Sequence, residues 1–448
     1  MNNGKCKFVA LAAGALFFLG GCTAHPAGER EERRAALAAG KLYENSPSRP
    51  LPPLSEHSTP DDFVRYAMAS NADIEQQYWQ WRAAIEQVPI DGTQATNLSI
   101  SLATTLNNGA FALDRTVATA GNDPMTDIVF PAKLSTAARR SLENARAAGV
   151  RFRKAQFELR RKILSAYDDY ALTAELIRLT ENNIQLLQTT ATITAARQRS
   201  GIGGEADVLK ASNDLDLARN DLADMRFQLS IEQAALNALL DRPALMPIPI
   251  PQALPSARAI AASDQALLDR AARMNPELLA LADEIRARHE DIRLAKLQYV
   301  PDFDLSASTD LKGMAQTLLG QFTIPLVRYD ALRAGVAQAE ANLKAAEAMR
   351  RQNRNDLSAQ IISDIYSLRD ADRQLELLSH TILPRARQAV TLGRTAYETG
   401  NASLLDLLDS QRSLIEIERL SASLEATRDK VLAELESIEE GRIDCWGL

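Results

Sequence analysis

Asp406 and Asp409 stand three residues apart, so their carboxylates share one face of a helix. Such a pair can gather cations or simply form a solvated face. Gly201-Ile-Gly203-Gly204 and Gly400-Asn-Ala are turn chemistry, because glycine supplies the positive φ that ends a helix. The first follows a helical stretch and not a strand, which makes it a poor dinucleotide fingerprint. Gly40-Lys41 lacks both the upstream glycine and the following Ser/Thr of a P-loop. The four histidines, His25, His57, His289 and His380, are scattered, and none meets a Cys or His at ligand spacing. No nucleophile is organised with a base. These residues predict no enzyme, no catalytic residue, no metal site and no cofactor.

Composition narrows the class further. The 448 residues carry 51 Lys and Arg against 58 Asp and Glu, a net −7. That balance argues against a nucleic-acid partner, whose binding needs a basic face. Only 20 Gly and 18 Pro break the chain, and aromatics are 5%, which points to long helices. No apolar run of about 20 residues lies beyond the first 21 positions, so no helix past that point is expected to span a membrane.

The N-terminus reads as an address. Lys5 and Lys7 precede an apolar stretch, Phe8 to Leu19, and then Leu19-Gly20-Gly21-Cys22. This resembles the bacterial lipobox. The resemblance implies that residues 1–21 are a lipoprotein signal peptide and that Cys22 carries covalent lipid. The alternative is an ordinary signal peptide with an incidental Cys. Thr23, where inner-membrane retention uses Asp, resembles outer-membrane sorting. Loss of 1–21 leaves 49 basic and 58 acidic side chains, a net −9. Cys445 then remains as a tail thiol without an intrachain partner. Pro47, Pro50, Pro52, Pro53 and Pro60 predict that residues 22–60 are irregular, an extended tether.

The body reads as two copies of one unit, 61–242 and 259–440, with a Pro-rich connector at 243–258 and a tail at 441–448. Asn71 and Asn275 are 204 apart, as are Gly109 and Gly313. Gly201 and Gly400 are 199 apart, as are Asp207 and Asp406. Each copy is expected to run helix, strand, strand, long helix, turn, helix. Period-two alternation marks the strands. Leu98, Ile100 and Leu102 oppose Ser99 and Ser101, and Phe303, Leu305 and Ala307 oppose Asp304, Ser306 and Ser308. Segments of about ten such residues fit a tilted membrane strand or a soluble hairpin lying on a core. Four strands cannot close a lipid-facing barrel, so the membrane reading needs several chains.

From Ala132 to Arg199 there is no Pro and one Gly, a rod of roughly 100 Å at 1.5 Å per residue. Val336, Ala339, Leu343 and Ala346 follow coiled-coil spacing, and Ile417, Leu424, Val431 and Ile438 recur every seven. Eight Ala in 331–349 allow close helix approach. A helical cylinder and an ordinary antiparallel bundle both fit.

Several segments, in order, resemble the TolC-type outer membrane efflux family. Arg199-Ser-Gly201-Ile-Gly203-Gly-Glu-Ala-Asp207-Val-Leu is similar to its first turn motif. Tyr397-Glu-Thr-Gly400-Asn-Ala-Ser403-Leu-Leu-Asp406-Leu-Leu-Asp409-Ser-Gln411-Arg412 is similar to its second. Phe322-Thr-Ile-Pro325-Leu, Asn275-Pro276-Glu277-Leu278 and Tyr299-Val-Pro301 also match, over about residues 60–440. The resemblance implies a mostly α fold with a small membrane β part: a homotrimer with a twelve-stranded β-barrel continuous with a twelve-helix α-barrel, two structural repeats per protomer. It implies an outer-membrane exit duct of a tripartite efflux or secretion system. The lipid-anchored chain would sit in the outer membrane lipid of a Gram-negative cell, with its helices in the periplasm. Partners would be a periplasmic membrane-fusion adaptor and an inner-membrane pump that supplies the energy.

Residue by residue, the resemblance puts Arg199, Ser200, Gly201, Ile202, Gly400, Asn401 and Ala402 at the adaptor-docking tip. Asp406, Asp409, Tyr397 and Asp207 fall at the periplasmic gate, Asp406 and Asp409 as rings around the trimer axis. Ala402 departs from members that carry an Arg there, so the side chain of their salt-bridge latch is absent at this position and a latch, if used, needs another pair. Lys210 stands near Asp207 as a further ionic candidate. A periplasmic coiled-coil adaptor lipoprotein is the competing class, but adaptors carry one hairpin and Gly-rich lipoyl strands. A purely helical spacer conflicts with the strand pairs.

Overall fold

The computed structural model describes residues 23–43, 51, 53–55, 58–93, 98–104, 116–122, 129–250, 263–310, 316–323 and 329–440. The signal peptide, Cys22, Cys445, residues 251–258 of the connector, the Pro325 junction and both hairpin glycines, Gly109 and Gly313, lie outside them. Helices are α1 (Glu29–Gly40), α2 (Pro60–Ser70), α3 (Ala72–Gly92), α4 (Pro131–Arg199), α5 (Glu205–Leu239), α6 (Asp264–Met274), α7 (Pro276–Leu297), α8 (Tyr329–Leu377), α9 (Leu383–Thr399) and α10 (Leu404–Glu440). Strands are β1 (Leu98–Thr104), β2 (Thr116–Asn122), β3 (Asp302–Asp310) and β4 (Gln316–Thr323). Among the described residues no helix is long and apolar enough to cross a membrane. The chain divides into two compact units.

The first unit is drawn from Met1–Glu44, Gln76–Phe152 and Pro276–Asn353. Its strands form one antiparallel sheet in the order β1-β2-β3-β4. The register matches Ile100 with Ala120, Ala120 with Ala307, and Ala307 with Leu318. Positions expected on the apolar sides of β1 and β3 therefore fall in line through β2. Ile100 and Leu102 are 75% and 64% exposed, so among the described residues no core covers them. Lys133 Nζ pairs with Asp302 Oδ2 at 2.8 Å, and the Phe130 N–H donates to Asp302 Oδ1 at 2.9 Å. These contacts fix the start of α4 to the start of β3. Along α8, Ala339 is buried and Val336, Leu343 and Ala346 are half-buried, as their spacing predicts.

One expectation is corrected here. Residues 22–60 are not extended throughout, because α1 occupies Glu29–Gly40. The five prolines behind that expectation all stand at position 47 or later. Ahead of them Glu29, Glu31 and Glu32 fill the first turn, where a helix dipole favours negative charge. Trp81 Nε1 donates to Glu32 Oε1 at 2.9 Å. Tyr43 stacks on Tyr78 at 5.3 Å and meets Phe152 edge-on at 5.9 Å, so the segment after α1 belongs to the aromatic core.

The second unit comprises Asn45–Glu75, Arg153–Asn275 and Arg354–Leu448. Two helices, not one, precede each strand pair in sequence, since the chain leaves helical geometry at Asn71 (φ −66°, ψ 125°) and Asn275 (φ −59°, ψ 123°). Asn71 Oδ1 accepts from the backbone of Asp73 and Ile74, so one side chain caps the next helix. Asn275 precedes Pro276, which disfavours the helical region before it. Leu378–Ile382 form a π-turn between α8 and α9. Pro384, which lacks an N–H, follows that turn.

On α10 the expected seven-residue row, Ile417, Leu424 and Val431, is half-buried, and beside it Leu408, Ile415 and Ala422 form a buried row of the same period. A helix can carry two parallel rows of period seven, and spacing alone does not choose between them. The described connector, 243–250, is not extended from its start: Met246 N–H donates to Pro243 O (2.9 Å) and closes a turn, and the segment is held in this unit by Asn237 Nδ2 donating to Met246 O (2.7 Å) and Tyr170 Oη to Ile248 O (3.0 Å).

Asp168 on α4 is 4% exposed. Burial pushes its carboxyl up to about 7, with Asp429 and Asp169 adding to the shift and Lys430 opposing it. Its folded value lies above the unfolded one near 3.8, so the native state holds the extra proton between those limits. Stability from this site therefore falls as pH rises from about 4 to 7 and stays low above. Asp168→Asn is expected to raise the melting temperature at pH 8 by a few degrees and leave it nearly unchanged at pH 4. Parallel melting curves for both proteins at every pH would refute the assignment.

Candidate functional site

The motif residues gather where α4 hands over to α5 and α9 to α10, within the second unit. Both turns close the same way. Gly201 N–H donates to Gln198 O (3.0 Å) and Ile202 N–H to Arg197 O (3.0 Å). Gly400 N–H donates to Tyr397 O (3.1 Å) and Asn401 N–H to Ala396 O (2.8 Å). This is the Schellman pattern, with the glycine at φ 74° and 82°.

Beneath the turns lies a cluster of Leu187, Ala211, Leu215, Ala218, Tyr397, Leu404, Leu407 and Leu408. Tyr397 is 3% exposed, and its hydroxyl donates to Thr194 Oγ1 at 3.1 Å. The Arg197 guanidinium lies 4.6 Å from the Tyr397 ring centroid and also donates to Tyr397 O. Gln411 is buried, with Nε2 donating to Thr190 Oγ1 at 2.9 Å while its Oε1 has no hydrogen-bond partner. Arg412 pairs with Asp214 at 2.7 Å. These polar contacts join α4 to α9 and α10, and α5 to α10.

The acidic residues have distinct settings. Asp406 Oδ2 accepts from Ser403 Oγ (2.7 Å) and Ser403 N–H (3.1 Å), while Asp406 N–H donates to Ser403 Oγ (3.2 Å). It is a reciprocal cap at the start of α10. The Ser403 hydroxyl and amide hold the Asp406 carboxyl below its usual value. Asp409, one turn on, is exposed, and Asp207 is half-exposed in the first turn of α5. Arg199, Ser200, Gly201, Ile202, Gly400 and Asn401 are exposed, and Ala402 is half-buried. Ile202 is 70% exposed, an apolar side chain at the apex of a turn.

Within one chain, then, the expected tip residues stand on the two turns, and Tyr397 is a core residue beneath them. Sequence reasoning missed Arg197, Thr190, Thr194 and Asp214. Arg197 lies two residues before the first motif, and its partner is two hundred residues away, so no local pattern reveals it. Among the described residues no group of three or more His, Cys, Asp or Glu is placed to hold a metal ion.

Comparison with known proteins agrees with this architecture. Residues 267–438 match the family model "Outer membrane efflux protein". The chain is 24% identical over 297 residues to the cobalt-zinc-cadmium resistance protein CzcC of Cupriavidus metallidurans, covering 64% of this chain and 67% of that protein. It is 22% identical over 312 residues to the cation efflux system protein CusC of Escherichia coli O6:H1, covering 64% and 65%. The chain thus spans about two thirds of the length of these curated relatives. The solved outer-membrane channel OprN shares the fold with a TM-score of 0.73 at 17% identity, covering 86% of this chain and 90% of that one. The family model thus matches the second half of the chain, and the solved channel has the same fold over most of its length.

Proposed function

We propose that this chain is the outer-membrane exit duct of a tripartite efflux system, passively conducting drugs or other small solutes from periplasm to exterior. The observation that carries the reading is the sheet. Apolar positions of β1 and β3 fall in line through β2, Ile100 and Leu102 are uncovered, and β1 and β4 each pair on one side only among the described strands. An edge cannot face hydrocarbon unpaired, so closure must come from other copies. Three chains of four strands give a twelve-stranded barrel, and the paired long helices of three chains give a periplasmic tube. The two-fold succession of helix, helix, strand, strand, long helical rod, helix, in which α8, the π-turn and α9 together stand where α4 stands in the first copy, supports two repeats per protomer. Lipid on Cys22 anchors the chain beside the barrel.

In this reading the turns at Gly201 and Gly400 form the periplasmic tip that receives the adaptor, and an inner-membrane pump supplies the energy. Asp406 and Asp409 line the entrance, three copies of each around one axis. Their summed negative charge attracts cations. Asp406→Ala with Asp409→Ala is expected to weaken block of the pore by multivalent cations severalfold, read as single-channel current. Unchanged block would remove these residues from the entrance. The assembly itself is tested by fractionation. Trimers that resist detergent until heated, in the outer-membrane fraction, are expected, whereas a monomer in the periplasmic extract would overturn the duct.

A further inference from the structure

The first unit contains a groove of about 340 Å³ lined by Thr23, Ala24, Pro131, Ala132, Leu134 and Ser135. Its size is at the small end of ligand-holding clefts, roughly 300–1,000 Å³. The lining is apolar for identifiable reasons. Pro131 has no N–H, and Ser135 Oγ donates back to Ala132 O at 3.1 Å. What remains is the proline ring, alanine methyls, Leu134 and the Thr23 side chain.

The wall formed by Thr23 and Ala24 is fixed in place. Ala24 N–H donates to Gly92 O at 2.9 Å, and Thr23 pairs with Thr93 as an isolated antiparallel bridge. Gly92 is required for this approach, because a Cβ there would stand 2.5 Å from Ala24 O. The groove also lies at a defined depth. Pro131 opens α4 directly after Phe130, which is bound to the first residue of β3, and Gly92 closes the helix that leads into β1. Ile90 is 63% exposed and Phe130 39%, apolar side chains at the level where sheet gives way to helix. In the barrel proposed above, that level would be the membrane–water boundary.

We propose that this groove seats an acyl chain of the lipid on Cys22. The inference rests on the lipidation reading, and it adds a site and an occupant. Cys22 is bonded to Thr23, and consecutive Cα atoms lie about 3.8 Å apart, so its lipid starts at the mouth of the groove. A fatty acyl chain matches a mostly apolar lining in which the Ser135 hydroxyl is turned back onto its own helix. Seating it would hold the anchor against the barrel junction instead of leaving it free in the leaflet.

The test uses the full chain in cells, with a diazirine amino acid in place of Ser135 or, as the control, Arg139, which is exposed on α4. After irradiation and proteolysis, mass spectrometry should find the position-135 peptide joined to the lipidated Cys22 peptide, and the control should not. Gly92→Val displaces Ala24 and should cut that product at least fivefold while Cys22 stays lipidated. Ala132→Trp fills the groove from a half-buried position and should do the same. Adducts of position 135 with free phospholipid, or a lipidated Cys22 that never joins position 135, would overturn the seat. A Cys22 peptide without lipid would overturn both the seat and the lipidation reading, which separates the two failures.

Discussion

Gly201→Asp is expected to abolish export, and Gly400→Asp to impair it, while trimers persist in the outer membrane. Both glycines hold positive φ, where another L-residue costs about 1–2 kcal/mol. Asp is among the residues that tolerate this region, so the turn survives with a modest penalty. Space is not the obstacle. A Cβ on Gly201 meets nothing within 4 Å, and one on Gly400 meets only the Arg197 guanidinium at 3.9 Å. The folding cost is therefore small beside the total stability of a large helical assembly. What changes is the apex, where Ile202 presents an apolar side chain and the flanking residues are exposed. A carboxylate at position 201 would sit in any interface that the adaptor makes, desolvated and unpaired, at a cost of several kcal/mol, while one at position 400 has the Arg197 guanidinium within reach and should have the smaller effect. Loss of export with intact trimers fits a docking tip. Normal export would show that nothing docks there, and loss of trimers would reduce the glycines to turn chemistry alone.

Tyr397→Ala is expected to leave the duct leaky without its pump. The ring fills a cluster with Leu187, Leu215, Leu404, Leu407 and Leu408, and truncating a buried aromatic costs about 3–5 kcal/mol. The same change removes the surface beneath Arg197 and the hydroxyl bound to Thr194. These contacts hold α4 and α9 together just below the turns, so their loss should let the tip splay. Tyr397→Phe separates the causes. It keeps the ring and the cation–π contact and loses one hydrogen bond, about 1 kcal/mol. Uptake of a large antibiotic that intact outer membranes exclude should rise at least tenfold for Tyr397→Ala and little for Tyr397→Phe. Equal uptake by both variants and the parent would show that Tyr397 does not restrain the tip.

The legible parts of the fold are those where a local period meets a local breaker. The helix from 131 to 199, the strand Asp302–Asp310 and the turns at Gly201 and Gly400 follow from nearest neighbours along the chain. Asn71 and Asn275 mark equivalent breaks, but splitting each leading helix in two depended on backbone angles that Asn permits without announcing. Helix α1 was hidden by the prolines after it. The choice between rows on α10 depended on which neighbours pack there, and those neighbours lie far away in sequence. The site divides in the same way. Its turns and acids stand in compact motifs, while Arg197 over Tyr397, Gln411 with Thr190 and Arg412 with Asp214 span about two hundred residues each. Asp406 carried an ambiguity that spacing could not resolve: Ser403 and Asp406 are at once a helix cap and part of the proposed entrance.

The duct is tested most directly by conductance of the purified full chain in a planar lipid bilayer. Discrete, long-lived current steps are expected from trimers, smaller when multivalent cations are added to the side that faces the helices. A chain that inserts without conducting, or that never leaves the aqueous phase, would contradict the account at its centre.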